Sequence, residues 1–128
     1  MINFLKIIFY FGLLCLAIIS LYPGSLIGYL LYGDFNTQPH FIKNPFGTTI
    51  NHFIYYIFIS LLGFFIYYKN FFFKKLFYGL YFLAIMLEFA HYIVPNRSFE
   101  LADLVANILG VTVAYSILKI YLFIKNYE

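Results

Sequence analysis

Charge is scarce in this sequence. Eight basic and five acidic residues are spread over 128 positions, 10% of the chain, where soluble domains carry about 25%. Hydrophobic residues make up 64%, and the mean hydropathy is +0.88. A soluble fold of this length could not bury so much apolar surface. The chain is therefore read as an integral membrane protein with a single all-α domain. Tryptophan is absent, which leaves tyrosine to mark a membrane interface, as Tyr22, Tyr29, Tyr32, Tyr67, Tyr68, Tyr92 and Tyr127 are placed to do. The abundance of Phe and Tyr also fits a coding bias, since Phe, Tyr, Ile, Asn and Lys share AT-rich codons. Cysteine is reduced to Cys15, in the middle of the first apolar run. That excludes an internal disulfide and a CxxC pair, and leaves a small apolar core residue. There is no HExxH or comparable spacing, so no motif announces a metal, and no cofactor is expected. The net charge of +3 comes from basic residues scattered at the ends of apolar runs. This is not a nucleic-acid-binding pattern; these residues read as topology determinants.

What is present is four apolar runs, at about residues 4–22, 50–68, 77–94 and 99–123. Runs of roughly 20 residues at ~1.5 Å each cross a ~30 Å hydrocarbon core. The expected fold is thus a bundle of four transmembrane helices. The first run exits through Ser20-Leu21-Tyr22-Pro23-Gly24-Ser25. It lacks a small-x-small site followed by a non-proline residue, so it is read as a span and not as a cleaved signal. Pro23 and Gly24 stop it. The connection that follows, residues 24–49, is long. Its first part, Leu26 to Tyr32, is apolar enough to lie flat in the interface, and its second part is irregular, with His40 as a solvated loop residue. Lys6, Lys69, Lys74, Lys75, Lys119 and Lys125 gather on one side of the predicted bundle, against Lys43 and Arg97 on the other. Positive-inside then puts both termini in the cytoplasm and the turn Pro95–Ser98 outside.

The polar residues of the apolar runs concentrate between Glu88 and Gly110. Glu88 and His91 are at i and i+3, on one helix face, with Glu88 roughly 9 Å inside the outer end of its span. Asp103, Asn107 and Gly110 share a face of the next helix. Ser98 is a candidate N-cap for that helix, Glu100 suits its first turn, and Gly110 suits close helix approach. His52 begins the second span on the same side. Glu88, His91, Asp103, Asn107 and His52 are thus expected to converge near one membrane face, with Arg97 at the rim. Intramembrane carboxylates need a partner: Arg97, His91 or Asn107 for Glu88, and Arg97 or His52 for Asp103. Such a cluster serves either as a ligand pocket or as glue between helices.

The arrangement Glu88, His91, Pro95, Arg97, then Asp103, Asn107, Gly110, resembles the VanZ-like family of small four-helix membrane proteins. His52-Phe53 at the start of the second span resembles it too. The likeness spans Thr48 to Tyr115. The chain departs from that pattern in having Thr48 and Thr49 where the family usually has Asp-Lys, and His91 where it usually has Gln. The resemblance implies a bacterial cytoplasmic membrane and a link to low-level resistance to the glycopeptide teicoplanin. The function expected is binding or modulation of an envelope ligand, a lipid or a peptidoglycan precursor, through Glu88, His91, Arg97, Asp103, Asn107 and His52. Arg97 would hold an anion. The alternatives are a membrane enzyme acting on a lipid-linked envelope substrate, with Glu88 or His91 as base, and an assembly protein without a ligand. Four spans without repeated broken helices argue against a transporter.

Overall fold

The structure is a computed structural model, and it describes residues 2–37, 47 and 49–126. Among them the chain forms five helices and no strand: α1 (Ile2–Leu21), α2 (Leu26–Tyr32), α3 (Thr49–Tyr67), α4 (Phe73–Ala90) and α5 (Leu101–Lys125). Three of these, α1, α3 and α5, are long and apolar enough to cross a membrane. α4 has 18 residues and carries Lys74, Lys75 and Glu88 within them. His40, Lys43, Thr48 and Tyr127 lie outside the described residues.

The helices alternate in direction. Tyr10 near the start of α1 bonds Tyr67 at the end of α3, hydroxyl to hydroxyl, at 2.8 Å. Tyr81 of α4 meets Thr112 of α5 at 2.8 Å. His52 near the start of α3 meets Asn107 near the start of α5, and Phe65 near the end of α3 meets Tyr121 near the end of α5, so these two helices run parallel, and they share the largest helix–helix contact. The reason is a stripe of small residues on α5, Ala106, Gly110 and Ala114, all buried at four-residue spacing. A methyl group on Gly110 would stand 2.7 Å from Tyr56 Cβ and 2.9 Å from the Phe53 carbonyl. The glycine is what lets the two backbones approach. The apolar core is Leu16, Tyr56, Phe64, Leu80, Ala84, Leu87, Val111, Ala114 and Leu118. The outward surface is also apolar, with Phe4, Phe11, Leu30, Phe82, Ile120 and Phe123 more than half exposed. An apolar surface of this extent is compatible with a lipid bilayer.

α2 is a short helix set off by its own caps. Ser25 Oγ accepts from Gly28 N–H at 2.9 Å, and Gly33 ends the helix in the left-handed conformation. The chain then folds back, so that Phe35 O accepts from Ser25 N–H and the Phe35 ring stacks on Tyr29 with centroids 4.2 Å apart. Thr37 Oγ1 and the Asn36 N–H both donate to the Asp34 carboxylate, and hold its pKa below the ordinary value.

Two expected boundaries are corrected. The third run does not begin at 77 and end at 94; its helix spans Phe73–Ala90. Lys74 and Lys75 are tolerated in its first turns because both are exposed, and Lys75 lies over the Phe72 ring. Glu88 accordingly sits in the last turn of α4 and not some 9 Å inside it. Ser98 does not cap α5. The N-cap is Glu100, without a side-chain cap bond, and its own N–H donates to the carboxylate of Glu88 at 3.0 Å.

Candidate functional site

The ends of the bundle differ in chemistry. Lys6, Lys69, Lys74, Lys75, Lys119 and Lys125 lie at the end where α1 begins, α3 ends, α4 begins and α5 finishes. The other end holds His52, Glu88, His91, Arg97, Asp103 and Asn107. Of these, Glu88, His91, Asp103 and Asn107 are buried, and His52 and Arg97 are half-buried. The structure brings together all six residues singled out by the sequence.

They form two linked groups. The first joins α4 to the far end of α1. Glu88 Oε1 accepts from the Glu100 N–H at 3.0 Å and lies 3.2 Å from His91 Nδ1. His91 Nε2 lies 3.2 Å from the Ser20 carbonyl. A carbonyl only accepts, so Nε2 donates to it, while Nδ1 faces the Glu88 carboxylate. Arg97 donates from Nη2 to the Ile19 carbonyl at 2.7 Å and from Nε to the Tyr22 carbonyl at 3.4 Å. Between them, His91 and Arg97 satisfy carbonyls at the end of α1 that the helix itself leaves open. Among the described residues no carboxylate lies within ion-pair distance of Arg97. The pairing of Arg97 with Glu88 or Asp103 that the sequence allowed is therefore not the one adopted. Burial pushes the pKa of the guanidinium down, and the nearby charges of Glu88 and Asp103 push it back up.

The second group joins α3 to α5. His52 Nδ1 lies 3.2 Å from Asn107 Oδ1, and His52 Nε2 lies 3.5 Å from Asp103 Oδ2. The amide oxygen only accepts, so Nδ1 carries a proton and Nε2 faces the carboxylate. Asp103 Oδ1 is buried without a hydrogen-bond partner, and so are Tyr56 Oη and Ser60 Oγ. His52, Tyr56 and Ser60 follow one another at four-residue spacing on one face of α3. Leaving a buried polar atom unpaired costs about 1–3 kcal/mol, so three at one end and along one face is an unusual concentration.

Beside this group is a cavity of about 510 Å³, lined by Leu16 and Ile19 of α1, Ile27 of α2, and His52, Tyr55 and Phe58 of α3, among others. Its wall is largely apolar, and Ile54 and Phe58 at its edge are exposed. His52 belongs both to the wall and to the buried cluster. No family model, curated protein or solved structure matches the chain. What the site does is thus argued from its own geometry.

Sequence reasoning missed three features. Tyr56 and Ser60 belong to the polar face, and could have been found by extending His52 along the helical period. The backbone carbonyls of Ile19, Ser20 and Tyr22 are the partners of Arg97 and His91, and no residue type announces them. The cavity arises from three helices distant in sequence and has no local signal.

Proposed function

We propose that this chain is a VanZ-like protein of the bacterial cytoplasmic membrane, and that it binds a cell-envelope amphiphile, a lipid or lipid-linked peptidoglycan precursor. In this reading α1, α3, α4 and α5 all span the bilayer. Both termini and the lysine-rich end lie in the cytoplasm, and the end with Glu88, Asp103 and His52 faces outward. α4 crosses as one member of the bundle, its two lysines at the cytoplasmic headgroups and its Glu88 sealed among partners.

The observation that carries the proposal is the cavity with His52 in its wall. A largely apolar cavity with the exposed Ile54 and Phe58 in its wall suits an acyl or prenyl chain. His52 at its polar side, with Asp103 and Asn107 behind, suits the head group of the same molecule. The division between the two groups of polar residues supports this placement. Arg97, His91 and Glu88 are engaged in closing the ends of α1 and α5, a structural role, while His52, Asp103 and Tyr56 border the cavity or keep unpaired atoms.

The test is lipid retention. Protein is extracted in mild detergent, and its bound lipids are identified by mass spectrometry, for wild type, Ile54→Trp and His52→Ala. Wild type is expected to retain a phosphate-bearing lipid in excess over the bulk membrane. Ile54→Trp, which fills the groove, should lose it. Identical lipid profiles in all three proteins would refute the proposal. Teicoplanin susceptibility of a Gram-positive host expressing wild type or Asp103→Asn tests the resistance link. Protection lost in the variant at equal membrane level is expected, and no protection from well-expressed wild type removes the drug from the reading.

A further inference from the structure

His52, Glu88 and Asp103 come from three different helices, yet each offers a ligand atom within 4.8 Å of the other two. We infer that these three side chains bind a divalent transition-metal ion of the Zn²⁺ class, whose open coordination position takes a phosphate oxygen of the bound head group. The second half of this statement rests on the reading given under Proposed function; the first does not.

Four features of the cluster support an ion. The imidazole is oriented as metal-binding histidines are. One nitrogen, Nδ1, is fixed by donating to an amide oxygen, that of Asn107 at 3.2 Å, and the other faces the cluster. Second, His52 Nε2 and Asp103 Oδ2 are 3.5 Å apart. A charge-assisted hydrogen bond between them would be drawn in to about 2.7–2.9 Å. Two ligands at about 2.1 Å from a tetrahedral Zn²⁺ stand roughly 3.4 Å from each other, so this edge already has metal spacing. Third, Asp103 is only 6% exposed, and its Oδ1 has no partner among the described residues. A buried carboxylate oxygen without a donor is an open ligand position. Fourth, Glu88 spends Oε1 on His91 and on the Glu100 N–H, which anchors the carboxylate and leaves Oε2 as the oxygen for the ion.

The charges agree as well. Two buried carboxylates share one cluster, the nearby Arg97 is committed to backbone carbonyls, and a cation between the carboxylates would offset their burial. Closing the longest edge of the triangle from 4.8 Å to about 3.4 Å requires the free oxygen of Glu88 to move in by roughly 1.4 Å, which a pivot of the carboxylate about its bonded Oε1 supplies. One nitrogen and two oxygens favour Zn²⁺ or a neighbouring first-row ion over Mg²⁺ and Ca²⁺, which prefer all-oxygen sites. Three protein ligands leave one tetrahedral position open. His52 is the ligand that also lines the cavity, and in this proposal the open position takes the head group of an amphiphile from that side.

The experiment uses the full chain in detergent, stripped with chelator and then loaded with Zn²⁺ or Co²⁺ alone. Elemental analysis should show stoichiometric metal, and Co²⁺ should give the intense visible absorption of a tetrahedral site. Asp103→Asn, which keeps the shape of the side chain, and His52→Ala should each lower the affinity by about 10-fold or more. Arg97→Lys should bind like wild type. Adding inorganic phosphate should shift the Co²⁺ spectrum of wild type. Folding is checked by gel filtration and circular dichroism, and a variant that does not fold is replaced by Asn107→Leu, which should weaken binding by releasing His52. No stoichiometric uptake by folded wild type overturns the site. So does uptake that survives both Asp103→Asn and His52→Ala. Metal bound without a phosphate response removes the head-group half alone. Metal bound by a protein that retains no lipid overturns the amphiphile reading and leaves the ion.

Discussion

Arg97→Ala separates the two roles open to that residue. In the structure its guanidinium closes the end of α1, with Nη2 on the Ile19 carbonyl at 2.7 Å and Nε on the Tyr22 carbonyl at 3.4 Å. The short bond has a charged donor, and such bonds contribute about 1.5–3 kcal/mol. The long one is near the limit of useful geometry and adds little. A positive charge at a helix C-terminus contributes a further ~0.3–1 kcal/mol. Removal of the side chain should therefore cost about 2–4 kcal/mol, with the lower end applying if water reaches the freed carbonyls. Lysine can reach one carbonyl but not both in a fork, so Arg97→Lys should recover about half of the loss. Reversible unfolding in mixed detergent and SDS micelles, followed by circular dichroism, gives both numbers. Hydrogen exchange should place the damage at residues 19–25 and not in α5. A change within about 0.5 kcal/mol of wild type, as for an ordinary surface position, would refute the reasoning. If such a stable variant also lost its bound lipid, Arg97 would be a ligand clamp after all.

Three further outcomes follow from the packing. Gly110→Ala forces a methyl group against Tyr56 and the Phe53 carbonyl, and should lower stability by about 1–3 kcal/mol in the same unfolding assay. Ser60→Ala removes a fully buried hydroxyl that has no partner. It should be neutral or stabilising by up to ~1 kcal/mol, and a clear destabilisation would mean that Ser60 is bonded in the folded protein. Glu88→Gln keeps an acceptor for the Glu100 N–H and for His91, and should fold to near wild-type yield. Glu88→Leu leaves the buried His91 and the part-buried Glu100 N–H without their partner, at about 1–3 kcal/mol for a buried group, and should reduce folded protein in membranes, measured by fluorescence-detected gel filtration. Equal yields from the two Glu88 variants would contradict the bonding described.

The helical architecture was legible because apolar runs separated by Pro, Gly and polar clusters leave few alternatives. The grouping of Glu88 with His91, and of Asp103 with Asn107 and Gly110, followed from helical spacing alone, and the packing role of Gly110 from its place on that face. The start of α4 was misjudged because Lys74 and Lys75 looked like loop residues. A lysine stem lying on an aromatic ring costs little at a helix end, and hydropathy does not register that. The partners of Arg97 were not legible for a different reason. Opposite charges suggest each other in a sequence, while the backbone carbonyls it uses are the same for every residue type. The convergence of His52, Glu88 and Asp103 at one end was legible from the helix directions, but their approach to within 4.8 Å was not, because no local spacing sets it. It exists only because a stripe of small residues draws α5 against α3.

The closure of α1 by Arg97 also has a consequence for how the protein is made. Arg97 and Ile19 are 78 residues apart. At synthesis rates of about 5–20 residues per second, α1 waits roughly 4–16 s before the residue that completes its C-terminal end leaves the ribosome. Until then the carbonyls of Ile19 and Tyr22 lack the donor that Arg97 supplies. The nascent first helix is thus a loosely held anchor that is locked last, by the turn between the final two helices. A chain truncated before Arg97 should insert but leave α1 open to proteolysis at residues 19–25. A separately expressed α3–α5 fragment should capture α1 in trans.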